Sequence, residues 1–133
     1  MIGGLHHIAI ILSSEEELWF YELLGFRKTF RKKRENDTVV LMDGHGMQLE
    51  FFIDWRHPLH ADHDEPFGLR HFALKIDGKI EDELERLRKG TDKPLEIGPI
   101  LRDWSGHRFC FIRDPNGLCI ELNESKSADN DAL

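Results

Sequence analysis

The stretch LHHIAIIL at residues 5–12 returns, altered but recognisable, as LRHFALKI at residues 69–76. His7-Ile8-Ala9-Ile10 lies over His71-Phe72-Ala73-Leu74, and Leu12 over Ile76. Each copy alternates apolar and other residues with period two, the mark of a half-buried strand. The two histidines stand 64 residues apart in a chain of 133, so the repeat divides the molecule into two similar halves. A small sheet cannot bury its apolar face alone, whereas a second copy beside it can supply the missing cover. An internal duplication of one small α+β module is therefore the strongest constraint on the fold.

The intervening elements repeat in the same order. In the first half, SSEEELWFYELLGF reads as a helix. Ser14 with Glu17, and Ser13 with Glu16, have capping-box spacing, and Gly25 is a natural stop. A basic strand with one exposed face follows over 26–34, a strand around Thr38–Met42, a turn at Gly44-His45-Gly46, and a strand over 46–53 with Met47, Leu49, Phe51 and Ile53 on one face. In the second half come a strand over 70–76, a helix over about 80–89 stopped by Gly90, and strands over 94–101, 107–113 and 117–123. Asp114-Pro115-Asn116-Gly117 carries tight-turn residues between the last two strands. Each half thus reads strand–helix–strand–strand–strand, and the sequence divides into module one (5–53), a linker (54–68), module two (69–123) and a polar tail (124–133) expected to be disordered. The last strands also match, with Gly46-Met47-Gln48-Leu49-Glu50-Phe51 over Gly117-Leu118-Cys119-Ile120-Glu121-Leu122.

Four chemistry-bearing residues recur in this superposition: His7, Glu50, His71 and Glu121. Each histidine opens its module, and each glutamate lies in the module's last strand, on the face opposite the apolar row. If both modules contribute to one curved sheet, the four can converge. Two imidazoles and two carboxylates suit one divalent ion such as Ni, Zn, Co, Mn or Fe, and leave positions open for water or substrate. Packing alone does not require the same polar pair twice. His6 is expected to point away from His7 by strand alternation. His57, His60 and His63 fall in the proline-containing linker and read as solvated loop residues.

Composition limits the partners. The net charge is −7 and the sequence pI about 5.6, which leaves no positive field for nucleic acid or anionic membrane. No apolar run is long enough for a bilayer span, and the N-terminus has no signal-peptide pattern. Two cysteines, Cys110 and Cys119, read as free buried thiols on neighbouring strands, in keeping with a cytoplasmic protein.

The phrases HHIAII, FYELLGF, LEFF, GLRHFAL and DPNGLCIEL resemble the vicinal oxygen chelate superfamily, the glyoxalase I, bleomycin-resistance and extradiol-dioxygenase group, over residues 5–123. The combination of GLRHFAL with HRFCFIRDPNGLCIELNE looks like a small bacterial glyoxalase I-like branch. The resemblance implies paired βαβββ modules forming a U-shaped cleft around one divalent metal held by His7, Glu50, His71 and Glu121. It implies a lactoylglutathione lyase-like enzyme, a lyase or isomerase acting on a small-molecule substrate through a metal-stabilised enediolate. Glu121 would be the base that moves the proton, with Glu50 second. It also implies a homodimer. Glyoxalase I enzymes hold glutathione's carboxylate with an arginine four residues after the first ligand and an asparagine four after the second. Here those positions are Ile11 and Asp54, which argues against a glutathione adduct; Arg102 and Arg108 are the cations the second half could offer. Alternatives on the same scaffold are a thiol transferase, an extradiol-type dioxygenase, or a non-catalytic resistance module that binds a small molecule.

Overall fold

Alternating apolar residues need a sheet to face and a helix to cover it, and the computed structural model supplies both twice. It describes residues 1–59 and 68–124. The chain forms two units, Met1–Leu59 and His60–Leu133. Together they make a mixed α+β fold with a small helix and a sheet in each.

Unit one begins with β1 (Ile8–Leu12), then a 3-10 turn (Glu15–Leu18) leading into α1 (Trp19–Leu23), β2 (Arg27–Lys33), β3 (Thr38–Gly44) and β4 (Met47–Ile53). The sheet order is β1-β4-β3-β2, with β1 parallel to β4 and the other pairs antiparallel. Ile10, Leu12, Val40, Met42, Leu49 and Phe51 are buried on one face. Tyr21 of α1 packs on Phe51, ring centroids 4.6 Å apart. Burying each such large side chain stabilises the fold by roughly 1.5–3 kcal/mol.

Local chemistry sets the helix ends. Ser14 is the cap, as its spacing suggested, but its Oγ accepts from the Glu16 N–H at 3.3 Å, and Ser13 Oγ donates to Glu17 Oε1 at 2.7 Å. At the other end, Gly25 has φ +101, and a Cβ there would stand 2.8 Å from His45 Nε2. That nitrogen lies 2.6 Å from the Leu24 carbonyl, so His45 donates to a helix-terminal oxygen. His45 (φ 53) and Gly46 (φ 74) both take left-handed backbone, as a two-residue hairpin turn requires. β2 departs from expectation: it is exposed along its whole length, not on one face. It is an edge strand, and its run of basic side chains discourages pairing with a further strand.

Unit two contains β5 (Phe72–Lys75), α2 (Ile80–Lys89), β6 (Glu96–Ile97), β7 (Leu101–Arg102), β8 (Arg108–Arg113) and β9 (Cys119–Glu124). The order is β5-β9-β8-β6, with β7 also pairing β8. Ile80, Leu84 and Leu87 form the buried stripe of α2. Glu81, Asp82 and Glu83 in its first turn, and Arg86, Arg88 and Lys89 in its last, complement the helix dipole. Lys79 offers no side-chain cap; Glu124 Oε2 instead accepts from the Ile80 N–H at 3.0 Å. Glu124, read from the sequence as the first tail residue, thus belongs to β9.

The single strand expected over 94–101 is broken into β6 and β7. Pro99 has no N–H to give to a ladder, and Gly98 makes the last regular contact, donating to the Phe111 carbonyl at 2.7 Å. The turn after β8 behaves as read: Asp114 accepts from the N–H groups of Asn116 and Leu118 at 2.9 and 2.8 Å. Neither cysteine is in a disulfide, and burial pushes the Cys110 thiol pKa up, away from reactivity. Among the described residues no helix is long and apolar enough to cross a membrane. His60, His63 and the segment 125–133 lie outside the described residues.

Candidate metal centre

The duplication extends to strand register. In unit one Ala9 pairs with Glu50, which pairs across with Leu41. In unit two Ala73 pairs with Glu121, which pairs across with Phe111. Paired residues share a face, so each glutamate stands on the open side of its sheet beside a small alanine, away from the buried rows. Each histidine sits one residue ahead of the strand parallel to the glutamate's strand.

This register closes two His–Glu pairs. His7 Nε2 is 3.4 Å from Glu50 Oε1, and His71 Nε2 is 3.2 Å from Glu121 Oε1. Two ligands each ~2.1 Å from one ion stand about 3.0 Å apart at right angles and about 3.4 Å apart in a tetrahedron. The spacing is that of an ordinary His–carboxylate contact, and it also matches two ligands to one divalent ion. Among the described residues no group of three or more His, Cys, Asp or Glu side chains is close enough to hold an ion. Each unit supplies one pair.

The surroundings differ. In unit one the Nδ1 atoms of His6 and His7 lie 2.9 Å apart, with the rings edge to face at a centroid distance of 5.1 Å. His6 thus turns toward His7, contrary to the strand-alternation reading, because β1 starts only at Ile8 and imposes no alternation on the pair. In unit two, Arg70 Nη1 is 3.3 Å from His71 Nδ1. A guanidinium can only donate, so His71 Nδ1 accepts and its Nε2 carries the proton that faces Glu121. A His71 ligating through Nε2 carries its proton on Nδ1 instead, and that contact with Arg70 is given up. Asn123 Nδ2 donates to Glu121 Oε2 at 2.9 Å. Phe111 stands edge to face with His71 at 5.2 Å, and the Arg70 guanidinium lies 5.7 Å over the Phe111 ring.

By strand alternation the sequence sets His6 aside as pointing away, and it does not single out Arg70, Phe111 or Asn123. Asn123 had a signal, since it lies two residues from Glu121 on the same strand face. Phe111 is found only through the cross-strand register. Asp54 is buried and held by Arg56, whose Nε and Nη2 donate at 2.8 Å each; these bonds hold its carboxyl well below the usual carboxylate range. His57 approaches the same carboxylate at 3.5 Å, a local role for one of the linker histidines. Arg102 donates to the Gly106 carbonyl at 2.8 Å, and Arg108 pairs with Glu81.

No family model matches the chain. The uncharacterized protein YwkD of Bacillus subtilis is 32% identical over 130 residues, covering 93% of this chain and 98% of YwkD. A crystal structure of a glyoxalase family protein from Enterococcus faecalis superposes with a TM-score of 0.81 and 31% identity, covering 91% of this chain and 97% of the other. A mutant of the fosfomycin resistance protein FosX from Listeria monocytogenes shares the fold alone, with a TM-score of 0.72, 15% identity and 100% of both chains covered. That FosX structure holds Mn(II) and 1S,2S-dihydroxypropylphosphonic acid.

Proposed function

The chain belongs to the glyoxalase family of the vicinal oxygen chelate superfamily, and on that premise we propose that it is a metal-dependent lyase or isomerase that moves a proton next to a carbonyl. The observation that carries this reading is the His–Glu pair repeated at the same register in both units. His7, Glu50, His71 and Glu121 are the residues that would hold one divalent ion. Manganese in the FosX structure shows that this fold can carry such an ion. When bound, the ion supplies Lewis acidity, lowering the energy of negative charge that develops on a substrate oxygen.

The chain's own residues do the rest. Glu121 takes the proton from one carbon and returns it to its neighbour. Asn123 holds Oε2 of that carboxylate, so the group is oriented before substrate arrives. Phe111, edge to face with His71 and across the strands from Glu121, lines one side of that pair. A His7 that ligates through Nε2 carries its proton on Nδ1, and His6 Nδ1 is placed to accept it. Glu50 is the second carboxylate, a ligand first and a base second. The protein would act as a cytoplasmic homodimer; light scattering that gave the mass of one 15.6 kDa chain would refute the dimer.

Turnover of a methylglyoxal hemithioacetal by metal-loaded protein tests the reading. We expect measurable isomerisation to the thioester, abolished by Glu121→Gln in protein that still binds metal. Full activity in that variant would remove Glu121 from the mechanism. No turnover with any thiol adduct, in protein shown to be loaded, would refute the reaction class.

A further inference from the structure

A cavity of about 380 Å³ opens at the end of the unit-one sheet, beside His7. That volume falls within the range of about 300–1,000 Å³ typical of small-molecule pockets. Its polar walls are His6, His7, Asp43 and Gln48, and its apolar walls are Leu5 and Met47. Among the described residues no lysine or arginine lines it. Arg27 is the cross-strand partner of Asp43 but does not reach the cavity wall. The other guanidinium groups of this unit's open face are already committed. Arg34 is held two-pronged by Asp37, and Arg56 by Asp54, each at 2.7–2.8 Å.

The wall therefore offers one carboxylate, one amide and the His6 imidazole, with no cation to balance an anion. A carboxylate brought here would meet Asp43 inside the cavity, with its one neighbouring cation, Arg27, behind it and outside the wall, and like charges at close range repel. A hydroxyl or ammonium group would find acceptors. We infer that this cavity is a substrate subsite for a short hydroxyl- or ammonium-bearing arm, and that it disfavours anionic arms. This rests on the proposed reaction, and it gives a positive counterpart to the apolar Ile11 and acidic Asp54 noted above. The reacting carbonyl would sit toward His7 and Glu50, and the arm would extend past His6 toward Asp43. In substrate terms, the chain would prefer the adduct of a small neutral or cationic thiol over that of glutathione, which carries two carboxylates.

The test compares kcat/KM for methylglyoxal hemithioacetals of cysteamine, 2-mercaptoethanol and glutathione. Wild type should favour the first two over glutathione by ten-fold or more. Asp43→Lys should lower the value for the cysteamine adduct at least ten-fold and raise that for glutathione. Asp43→Asn, a milder change to an exposed side chain, should remove the advantage of cysteamine over 2-mercaptoethanol. A preference for glutathione in wild type, or rates indifferent to Asp43, would overturn the subsite. A second readout does not need turnover. Cysteamine alone should shift the backbone amide signals of Gly44 and Gly46 in wild type, and not in Asp43→Lys. If no adduct turns over yet these amides still respond, the reaction class fails and the subsite stands; if the amides do not respond, the subsite fails.

Discussion

The two His–Glu pairs are copies of one another in register and differ in everything around them. In unit one the pair is more open, with side chains 37% and 27% exposed for His7 and Glu50; in unit two the figures are 22% and 16% for His71 and Glu121. Leu41 lies across from Glu50, whereas an aromatic ring, Phe111, lies across from Glu121. Glu121 is oriented by an amide donor, Asn123; the matching position beside Glu50 is Phe52, which has no donor to offer. His7 leans on a histidine that can accept its Nδ1 proton, while His71 faces a guanidinium that cannot. Duplication supplies two His–Glu pairs at the same register, and their neighbours have since diverged. In the proposed reaction the sheltered carboxylate held by Asn123 is the base, and the more open half admits substrate.

The sharpest way to break this division of labour is to exchange the glutamates' fates. Glu121→Gln should cost about 10²–10⁴-fold in turnover, the usual contribution of a positioned general base. Glu50→Gln should act chiefly through metal affinity, with activity recovering when metal is supplied in excess. Equal, unrecoverable losses in both variants would erase the asymmetry.

Next in size are the neighbours of the histidines, where the two halves should respond with opposite sign. His6→Ala removes the acceptor for the His7 Nδ1 proton and should weaken metal binding about 10–100-fold, as loss of such supporting partners does. His6→Asn, which retains an acceptor oxygen, should recover part of that affinity. Arg70→Ala removes a donor that competes for the lone pair on His71 Nδ1, so metal affinity should hold or rise. A competition titration with a chromophoric chelator reads both, and weakening in both variants would mean that these side chains merely support the local backbone.

Smaller effects concern the frame. Gly25→Ala puts a methyl against His45 and forces an L residue to φ +101, so it should destabilise unit one by more than about 1 kcal/mol in denaturant unfolding. His45→Ala removes the bond to Leu24 and should cost about 1 kcal/mol. The smallest is a pH effect. Arg56 holds the Asp54 pKa down in the folded chain, so the pair's contribution is present above the unfolded value near 3.9 and is lost as pH falls through the lower folded value. Stability of Asp54→Asn should accordingly converge with wild type in strong acid and fall below it at neutral pH.

Much of this was legible in the sequence because period-two alternation fixes faces. Placing Glu50 and Glu121 opposite their apolar neighbours required only that their segments be strands. The pairings of Ala9 with Glu50 and of Ala73 with Glu121 are not read from the sequence; they come from the strand register. What the sequence concealed depends on tertiary register or on exact element ends. Phe111 meets His71 only because β8 pairs with β9 at one offset. His6 turns toward His7 because β1 begins one residue later than alternation implied. The full exposure of β2 follows from its place at the edge of the sheet, a property of the sheet and not of the segment.

The central claim is that one ion is shared by both pairs, and metal stoichiometry tests it most directly. Protein purified without tags or chelators, loaded with Mn(II) or Ni(II) and dialysed, would be assayed by mass spectrometry as wild type, His7→Ala and His71→Ala. We expect one ion per chain in wild type and near-complete loss in each single variant. Two ions per chain, or retention of half the metal when one pair is broken, would show that each His–Glu pair binds on its own and would contradict a shared centre.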